Sequence, residues 1–406
     1  MKRFSDAELQ RIKDQNPISG VVGRYVTWDR AKTNPGQGDF WACCPFHDES
    51  TPSFHCVDTS GTYKCFGCGA SGDQISFLQA HLGLSFAEAV DQLGGKAEAE
   101  PLTPEQIAAD QKMRAARREE KEKADNSFRA EEIRRAAKLW NLGGRVGGTE
   151  GTGYLRGRGL VPLPFRLPLR FNPHFKYWHQ RDVPGQKKKE RYVLFSGPVM
   201  MAPITGPDHT FLGVHITYID PARPGKKIAI EDPETEPRDD GRRVLIAPKK
   251  IRGSKRGASI KLIQPRGFTR LVLGEGWETT VSVALAEYGT EIFEKTTYWT
   301  AIDLQSMGGK AAATIAHPTL KNKAGKPLRV PGPEPDFGDP KVLSLPDQVA
   351  ELVLLGDGDS DRFTAEQVHA RASRRFAAPG RTIRSVWAPD GMDFNDMINT
   401  TLEGAA

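Results

Sequence analysis

Four residues in the N-terminal quarter of the chain have the types and spacing of metal ligands. Cys44 and His47 are separated by two residues, as are Cys65 and Cys68, and 17 residues lie between the two pairs. Structural zinc sites hold four such ligands in a tetrahedron, and two intervening residues let one tight turn bring both side chains onto one ion. The spacing therefore predicts one structural zinc ion bound by these four side chains.

The remaining cysteines support a metal site rather than disulfide bridges. All five cysteines lie between Cys43 and Cys68, whereas a disulfide framework would spread them along the chain. Cys43 cannot easily replace Cys44 because the pair spacing would change. A ligand role for Cys56 or His55 stays open.

A second group of residues, more than two hundred positions downstream, suits a divalent cation. Glu275 follows the apolar residues 271–274, and Asp357 and Asp359 follow the apolar residues 352–355. Open α/β sheets gather ligands at the carboxyl ends of their strands, and carboxylate oxygens are the ligands that Mg²⁺ prefers. Asp-Gly-Asp alone is also a common turn, but the order of the two motifs predicts a magnesium site for phosphoryl transfer.

The elements around the first motif form a small N-terminal unit, residues 1–95. A helix is predicted near Asp73, and a second helix after Ser85, where Glu88 completes a capping box. Residues 96–142 are rich in Ala, Glu, Arg, Lys and Gln, which predicts a charged helical linker.

The elements around the acidic motifs are strands and helices. Residues 143–266 contain short alternating runs that predict antiparallel strands and hairpins. In residues 267–406, apolar strands alternate with helices, which predicts a mostly parallel, Rossmann-like sheet covered on both faces. Residues 320–346, rich in Pro, Gly and Lys, are interpreted as a flexible insertion. The predicted fold class is therefore α+β and multidomain.

Composition limits the class of protein. A chain of 406 residues is too long for one ordinary core, and 57 basic against 51 acidic residues give a net charge of +6, which permits a polyanionic partner. No apolar stretch approaches a membrane span and the start is polar, so a soluble, cytoplasmic protein without a membrane partner is expected. No Gly-x4-Gly-Lys-Ser/Thr motif is present, so no fused helicase is expected.

Basic residues near the second group are candidates for nucleic-acid or nucleotide contacts. They are predicted to form a basic track for template or triphosphate, although solvated loops remain the alternative. The residues are Arg191, Lys249, Lys250, Lys255 and Arg256.

The N-terminal motifs resemble a known family. The stretches WACCPFHDESTPSF, YKCFGCGASGD and SFLQAHLGLSFAEAVDQL resemble the CHC2-type zinc-ribbon domain of bacterial (DnaG-like) DNA primases. The resemblance implies that this domain helps choose where a primer begins on a single-stranded DNA template. Nearby side chains would suit base stacking or the packing of the ribbon itself: Phe46, Phe54, Tyr63, Lys64 and Phe66.

The acidic motifs resemble the Toprim domain of primases, topoisomerases and some nucleases. The resemblance implies that Glu275, Asp357 and Asp359 are catalytic and hold Mg²⁺ or Mn²⁺. Residues 390–396 resemble the acidic segment that ends the primase version, which adds Asp393 as a magnesium ligand.

One position departs from the cellular primases. They usually carry an aspartate four residues after the glutamate, where Thr279 stands in this chain, with Glu278 beside it. The stretch EGWETTVSVAL resembles phage and mobile-element primases, and the resemblance implies a supporting role for Glu278.

The segment VMMAPITGPDHTFLGVHITYID resembles the strand pair that precedes Toprim in primases, without the usual arginine-rich start. Together the resemblances imply a DNA primase, a nucleotidyltransferase that makes RNA primers on single-stranded DNA from ribonucleoside triphosphates during DNA replication. They imply a phage, plasmid or other mobile-element setting, with a replicative helicase in trans as a plausible partner. The rivals are a Toprim nuclease and a non-catalytic zinc-ribbon DNA-binding replication protein.

Overall fold

The computed structural model describes residues 4–47, 49, 51–94, 104–183, 188–238, 240–322, 325–339 and 342–404. The chain divides into two compact units. The first is formed mainly by Met1–Glu122 with Ala316–Arg329, and the second by Lys123–Pro184, Lys188–Ile315 and Val330–Ala406. Among the described residues, every helix is too short or too polar to cross a membrane.

The first unit combines short helices with an antiparallel sheet in the order β1-β2-β3-β4. Its elements are α1 (Asp6–Gln15), α2 (Ile18–Val22), β1 (Asp39–Ala42), β2 (Phe54–Val57), β3 (Thr62–Cys65), β4 (Ser71–Gly72), α3 (Gln74–Leu82) and α4 (Phe86–Gln92). The inner face of β2 carries Phe54 and Cys56, which pack with Phe77 of α3. Since strand residues alternate between faces, His55 lies on the outer face, opposite Trp41 of β1.

Both predicted helix starts in this unit are confirmed. The Asp73 side chain accepts a hydrogen bond from the Ser76 N–H at the start of α3. Ser85 and Glu88 form the capping box at the start of α4. Each cap satisfies backbone donors that have no partner within the helix.

A long helix, α5 (Pro104–Asn141), occupies most of the region predicted to be a charged helical linker. The last turns of this helix are packed against other residues. Ala136 is fully buried, and Leu139 and Trp140 pack against the core of the second unit.

The N-terminal part of the second unit is an antiparallel sheet in the order β5-β6-β7-β8, as the alternating runs predict. Its elements are α6 (Glu150–Gly157), β5 (Arg170–Arg181), β6 (Glu190–Thr205), β7 (Phe211–Tyr218) and β8 (Lys249–Gly253). The sheet has two different faces: Met201 of β6 packs in the core that contains the end of α5, whereas Met200 packs with Tyr154 of α6 and Trp277.

A second sheet follows in the order β15-β14-β10-β11-β9, in which only β9 pairs antiparallel. Its elements are β9 (Ile260–Ile263), β10 (Arg270–Gly274), α7 (Trp277–Glu287), α8 (Glu291–Glu294), β11 (Thr296–Thr300), α9 (Leu304–Gly308), β12 (Thr314–Lys321), β13 (Pro327–Pro331), β14 (Glu351–Gly356), α10 (Arg362–Phe376), β15 (Thr382–Trp387) and α11 (Phe394–Gly404). The strands β12 and β13 pair separately.

Helices cover both faces of this mostly parallel sheet, as predicted. Leu273 and Leu354 pack against α10, whereas Val272 and Val353 pack on the side of α7. In the register of β10 and β14, Leu273 lies opposite Leu354, so the two strands end side by side.

The segment interpreted as a flexible insertion, residues 320–346, contains part of the β12–β13 hairpin. Residues 323–324 and 340–341 lie outside the described part of the chain. Beyond the hairpin, the fully buried Arg371 of α10 donates hydrogen bonds to the carbonyl oxygens of Gly309 and Gly332.

Candidate metal centres

The four predicted zinc ligands lie together in the first unit. The ligand atoms of Cys44, His47, Cys65 and Cys68 all lie within 4.8 Å of one another. The Sγ atoms of Cys44 and Cys68 are 3.8 Å apart, which is about the edge of a tetrahedron with Zn–S bonds of about 2.3 Å. The donor set and its spacing therefore fit a zinc ion.

Surrounding groups orient these ligands. The Nδ1 atom of His47 lies 3.9 Å from the Cys65 sulfur, and its Nε2 atom lies 3.1 Å from a carboxylate oxygen of Glu49. A carboxylate behind a metal-bound histidine fixes the ring and its tautomer. Burial opposes ionisation of Cys65, but hydrogen bonds from Ser53 and from the backbone N–H of Cys68 bring the pKa of its thiol below the ordinary value.

Cys56, which the sequence left open as a ligand, is fully buried in the core of this unit and takes no part in the four-ligand group. His55 is likewise outside this group. Its Nε2 atom lies 2.6 Å from Asp39.

The exposed aromatic surface of the ribbon differs from the set suggested by the sequence. Phe54 and Tyr63 are buried. On the outer face, the rings of Trp41, His55 and Phe66 stack on one another, with the Trp41 centroid 4.2 Å from that of His55 and 5.7 Å from that of Phe66. The nitrogens of Lys32 and Lys64 lie over the rings of Trp41 and Phe66. We call Trp41, His55, Phe66, Lys32 and Lys64 the ribbon stack.

The structure also brings the predicted acids together. Glu275 directly follows β10 and Asp357 directly follows β14, at the shared edge of the two parallel strands. Gly358 donates a backbone hydrogen bond to Met392, which holds the Asp393 segment beside them. We call Glu275, Asp357, Asp359 and Asp393 the acid cluster.

Gly358 is required where these two loops meet. A Cβ atom at this position would lie 2.0 Å from the carbonyl oxygen of Pro389. The contact is with backbone, so no side-chain rotation could relieve it. The glycine of the Asp-Gly-Asp motif therefore permits the close approach that places Asp393 near Asp357.

The acids lie close enough to influence one another's pKa. Burial, together with the charges of Asp393, Glu275 and Asp359, raises the pKa of Asp357 to about 7. Burial also raises the pKa of Glu275, with contributions from Asp303 and Asp359. A divalent cation would offset this crowding of negative charge. Among the described residues, however, no acidic trio meets the 4.8 Å spacing of the zinc ligands, so the acid cluster is the wider of the two sites.

Asp303 is a neighbour that the sequence analysis missed. It caps α9, just beyond the carboxyl end of β11, and its carboxylate lies 2.5 Å from the Lys255 ammonium. A signal was present in the sequence, because Asp303 closely follows a buried strand, although two residues separate it from the end of β11. Thr279, which stands where cellular primases carry an aspartate, donates a hydrogen bond of 3.4 Å to Asp357.

Glu278 does not point into the acid cluster as a free carboxylate. It is buried, accepts a hydrogen bond of 2.9 Å from the Tyr154 hydroxyl, and lies 3.2 Å from the Lys227 ammonium. Burial alone would raise its pKa, but Lys227, Lys249 and the Tyr154 hydrogen bond lower it to about 2. No sequence signal connected these residues, since the pairing joins three separate segments.

The basic residues predicted to form one track are divided between two faces of the β5–β8 sheet. Lys249 lies near the acid cluster and influences Glu275 and Glu278, whereas the Lys250 ammonium lies 4.1 Å from the ring centroid of Tyr177 in the other core. Lys255 is engaged with Asp303, as described above. The Arg191 guanidinium lies over the Trp178 ring, and Arg256, on the loop after β8, is also engaged in an interaction.

Comparisons with known proteins cover parts of the chain. Residues 4–107 match the family described as CHC2 zinc finger, and residues 130–262 match a domain of unknown function (DUF7146). A DNA primase of Chlamydia trachomatis is 45% identical over 87 residues, which are 21% of this chain and 14% of that protein. A DNA primase of Streptomyces coelicolor is 39% identical over 95 residues, 23% of this chain and 14% of that protein.

The chain thus spans about one seventh of the length of these curated relatives. The crystal structure of the Aquifex aeolicus primase (zinc binding and RNA polymerase domains) aligns with 98% of this chain and 83% of its own, at 15% identity and a TM-score of 0.33. That score is too low to support a conclusion. The predicted CHC2-type zinc ribbon, similar to that of DNA primases, is confirmed by the family match and the four-ligand geometry.

Proposed function

We propose that this protein is a DNA primase that synthesises short RNA primers on single-stranded DNA from ribonucleoside triphosphates. The observation that carries the proposal is the convergence of Glu275 with Asp357 and Asp359 at the ends of two adjacent parallel strands, in a chain whose ribbon is similar to that of DNA primases. The resemblance of these acids to the Toprim domain supports the same conclusion.

The acid cluster would hold Mg²⁺ through Glu275, Asp357 and Asp359, with Asp393 as a further ligand. When bound, Mg²⁺ would neutralise charge on the triphosphate and on the attacking hydroxyl. The 3′-hydroxyl of one nucleotide would attack the α-phosphate of the next, and pyrophosphate would leave. Lys249, beside these acids, is placed to contact the triphosphate, while Thr279 orients Asp357 through its hydrogen bond.

The ribbon stack supports contact with a template strand. Its aromatic rings offer faces for unpaired bases, and its two lysines offer charge for the phosphates. Hydrogen bonding to Asp39 orients the His55 ring within the stack. In this proposal the ribbon selects the start of the primer and the acid cluster builds it.

The form EGWETTVSVAL supports a phage, plasmid or other mobile-element setting for this primase, and a replicative helicase acting in trans would supply the single strand. Within this stretch, Glu278 would support the acid cluster indirectly, through its contacts with Lys227 and Tyr154, and would not bind the metal itself.

Primer synthesis tests the proposal. The full-length protein is incubated with single-stranded DNA, labelled ribonucleotides and Mg²⁺, and the products are resolved by length. Asp357→Asn with Asp359→Asn should abolish synthesis, whereas the exposed Asp347→Asn should not. Zinc content and circular dichroism verify that the inactive variant is folded.

Three results would reject the proposal. Primer synthesis by the Asp357/Asp359 variant would show that the acid cluster is not catalytic. Mg²⁺-dependent cleavage of the template without synthesis would indicate a nuclease, and DNA binding without either reaction would indicate a non-catalytic replication protein.

A further inference from the structure

A groove runs along the second unit beside the end of α5. Two neighbouring cavities form it, with volumes of about 460 Å³ and 750 Å³. Both cavities are lined by the same five residues, so they are parts of one depression. These shared residues, which define the α5 groove, are Leu139, Trp178, Arg191, Lys250 and Arg252.

The α5 groove lies on the sheet face away from the acid cluster. On β8, Lys250 and Arg252 alternate with Lys249 and Ile251. Ile251 packs in the core with Trp277, and Lys249 is close to the acids. The groove is lined instead by Phe175, Ile216 and Tyr218 of the core that contains α5. It is therefore separate from the proposed catalytic site.

The cations of the α5 groove lack carboxylate partners. Within the described part of the chain, Arg191, Lys250 and Arg252 make no ion pair, and Arg191 and Lys250 lie over aromatic rings instead. Burial and the neighbouring Arg252 lower the pKa of Lys250, while the charge of Asp232 opposes this change.

The acids that line the same cavities are already engaged. Asp232 lies 2.9 Å from His179, Glu234 accepts a hydrogen bond of 2.7 Å from Tyr192, and Glu132 lies 2.8 Å from Arg135. Only Glu132 is paired with a cation, whereas Asp232 and Glu234 keep their charge beside neutral partners. The lysines and arginines that line the two cavities nevertheless outnumber the carboxylates six to three, so the net charge facing a ligand is positive.

Aromatic surface accompanies this charge. Trp178, on the edge strand β5, is 41% exposed although it is a large apolar side chain, and it lines both cavities. Arg191 lies over the ring of Trp178, and the part of the tryptophan that stays exposed, together with the cations, matches the two needs of a nucleotide unit, an aromatic surface for the base and charge for the phosphate. An acidic peptide would use the cations but not the exposed ring face.

We propose that the α5 groove binds a segment of single-stranded DNA, with a base against Trp178 and phosphates at Arg191, Lys250 and Arg252. The assignment deepens the proposed function, because the strand would be the template, held on the sheet face away from the acids. A strand supplies several linked phosphates, which three separated cations can contact together. A free nucleotide also carries a base and phosphates. The experiment therefore compares single-stranded DNA with a free nucleotide as the ligand of the α5 groove.

Binding is measured in Mg²⁺-free buffer, where no synthesis occurs. The probe is fluorescein-labelled oligothymidylate of about 20 nucleotides, longer than a site of about 4–16 nucleotides, and its anisotropy is followed with the full-length protein. Trp178→Ala should weaken binding by about 5- to 150-fold, the range for loss of one base–aromatic stack. Trp178→Phe, which keeps an aromatic face, should stay much closer to the wild type.

Salt dependence tests the cations. Arg191→Gln with Arg252→Gln should lower the slope of log K against log salt by about 1.4, since each phosphate contact on a single strand contributes about 0.7. The matched control is Arg145→Gln with Arg266→Gln, two exposed arginines outside the groove, which makes the same change in net charge. This control should leave the slope unchanged.

The proposal is overturned if the groove variants bind like the control, or if a ribonucleoside triphosphate alone displaces the oligonucleotide, which would make the groove a nucleotide pocket. Photocrosslinking with 5-iododeoxyuridine should label the peptide that contains Trp178, and labelling confined to the ribbon would contradict the assignment.

Failure of the proposed function is a separate result, because the Asp357/Asp359 variant should bind the oligonucleotide normally even if no primers are ever made.

Discussion

Replacing Glu278 with Gln should cost this protein about 3 kcal/mol of stability at neutral pH. The carboxylate is buried between the Tyr154 hydroxyl and the Lys227 ammonium. Glutamine can still accept the hydrogen bond from Tyr154, but it cannot offset the charges of Lys227 and Lys249. The variant therefore leaves buried positive charge without its partner.

The magnitude follows from the pKa of Glu278. An ordinary glutamate has a pKa of 4.5, and the folded protein lowers that of Glu278 to about 2. At about 1.36 kcal/mol per pKa unit, this difference corresponds to about 3 kcal/mol. Removing one partner of a buried ion pair generally costs about 3–5 kcal/mol, and the value derived from the pKa of Glu278 lies at the lower end of that range.

The pH dependence has a definite sign. Because the folded-state pKa is the lower one, the stabilisation by Glu278 is fully present above pH 4.5 and is lost as the pH falls toward 2. The stability difference between the wild type and Glu278→Gln should therefore narrow over that range.

Urea unfolding followed by tryptophan fluorescence measures the effect. The matched control is Glu366→Gln, which breaks an exposed pair with Arg362 and should cost about 0–1 kcal/mol. Adding Lys227→Met to Glu278→Gln should recover part of the loss, since the unpaired cation is then gone. The reasoning fails if Glu278→Gln is no less stable than this control at pH 7, or if its deficit persists unchanged on acidification.

Two further predictions concern the metal centres. Cys65→Ala should abolish zinc binding, measured by elemental analysis, whereas Cys56→Ala should retain the metal because Cys56 is buried outside the ligand group; equal loss in both would refute the assignment. Gly358→Ala should destabilise the protein by about 1–3 kcal/mol in thermal unfolding, because its Cβ atom would meet the Pro389 carbonyl. Gly153→Ala, with open space at the Cβ position inside α6, should instead be neutral or stabilising, and a harmless Gly358→Ala would refute the close approach.

The zinc ligands and the helix caps were predictable because their signals are local. Two residues between Cys44 and His47 fix which side chains can share an ion, and two residues between Ser85 and Glu88 fix a capping box. The acid cluster was predictable for a related reason. Parallel strands end at the same edge, so acids directly after two such strands approach each other once the sheet forms.

Other features had no local signal. The sequence placed Lys249 and Lys250 in one basic run, but neighbouring residues of β8 point to opposite faces, so one approaches the acid cluster and the other lines the α5 groove. The ribbon stack depends on the pairing of β1 with β2, which sets Trp41 opposite His55.

By itself, the sequence determined which residues can act as ligands, where helices begin, and which segments become strands, because spacing, caps and hydrophobic periodicity act over a few neighbouring residues. The tertiary structure alone decided which strands lie side by side, which face each cation occupies, and that Tyr154, Lys227 and Glu278 meet. Those outcomes depend on packing among segments tens of residues apart, and no short stretch of sequence encodes the summed energy of that packing.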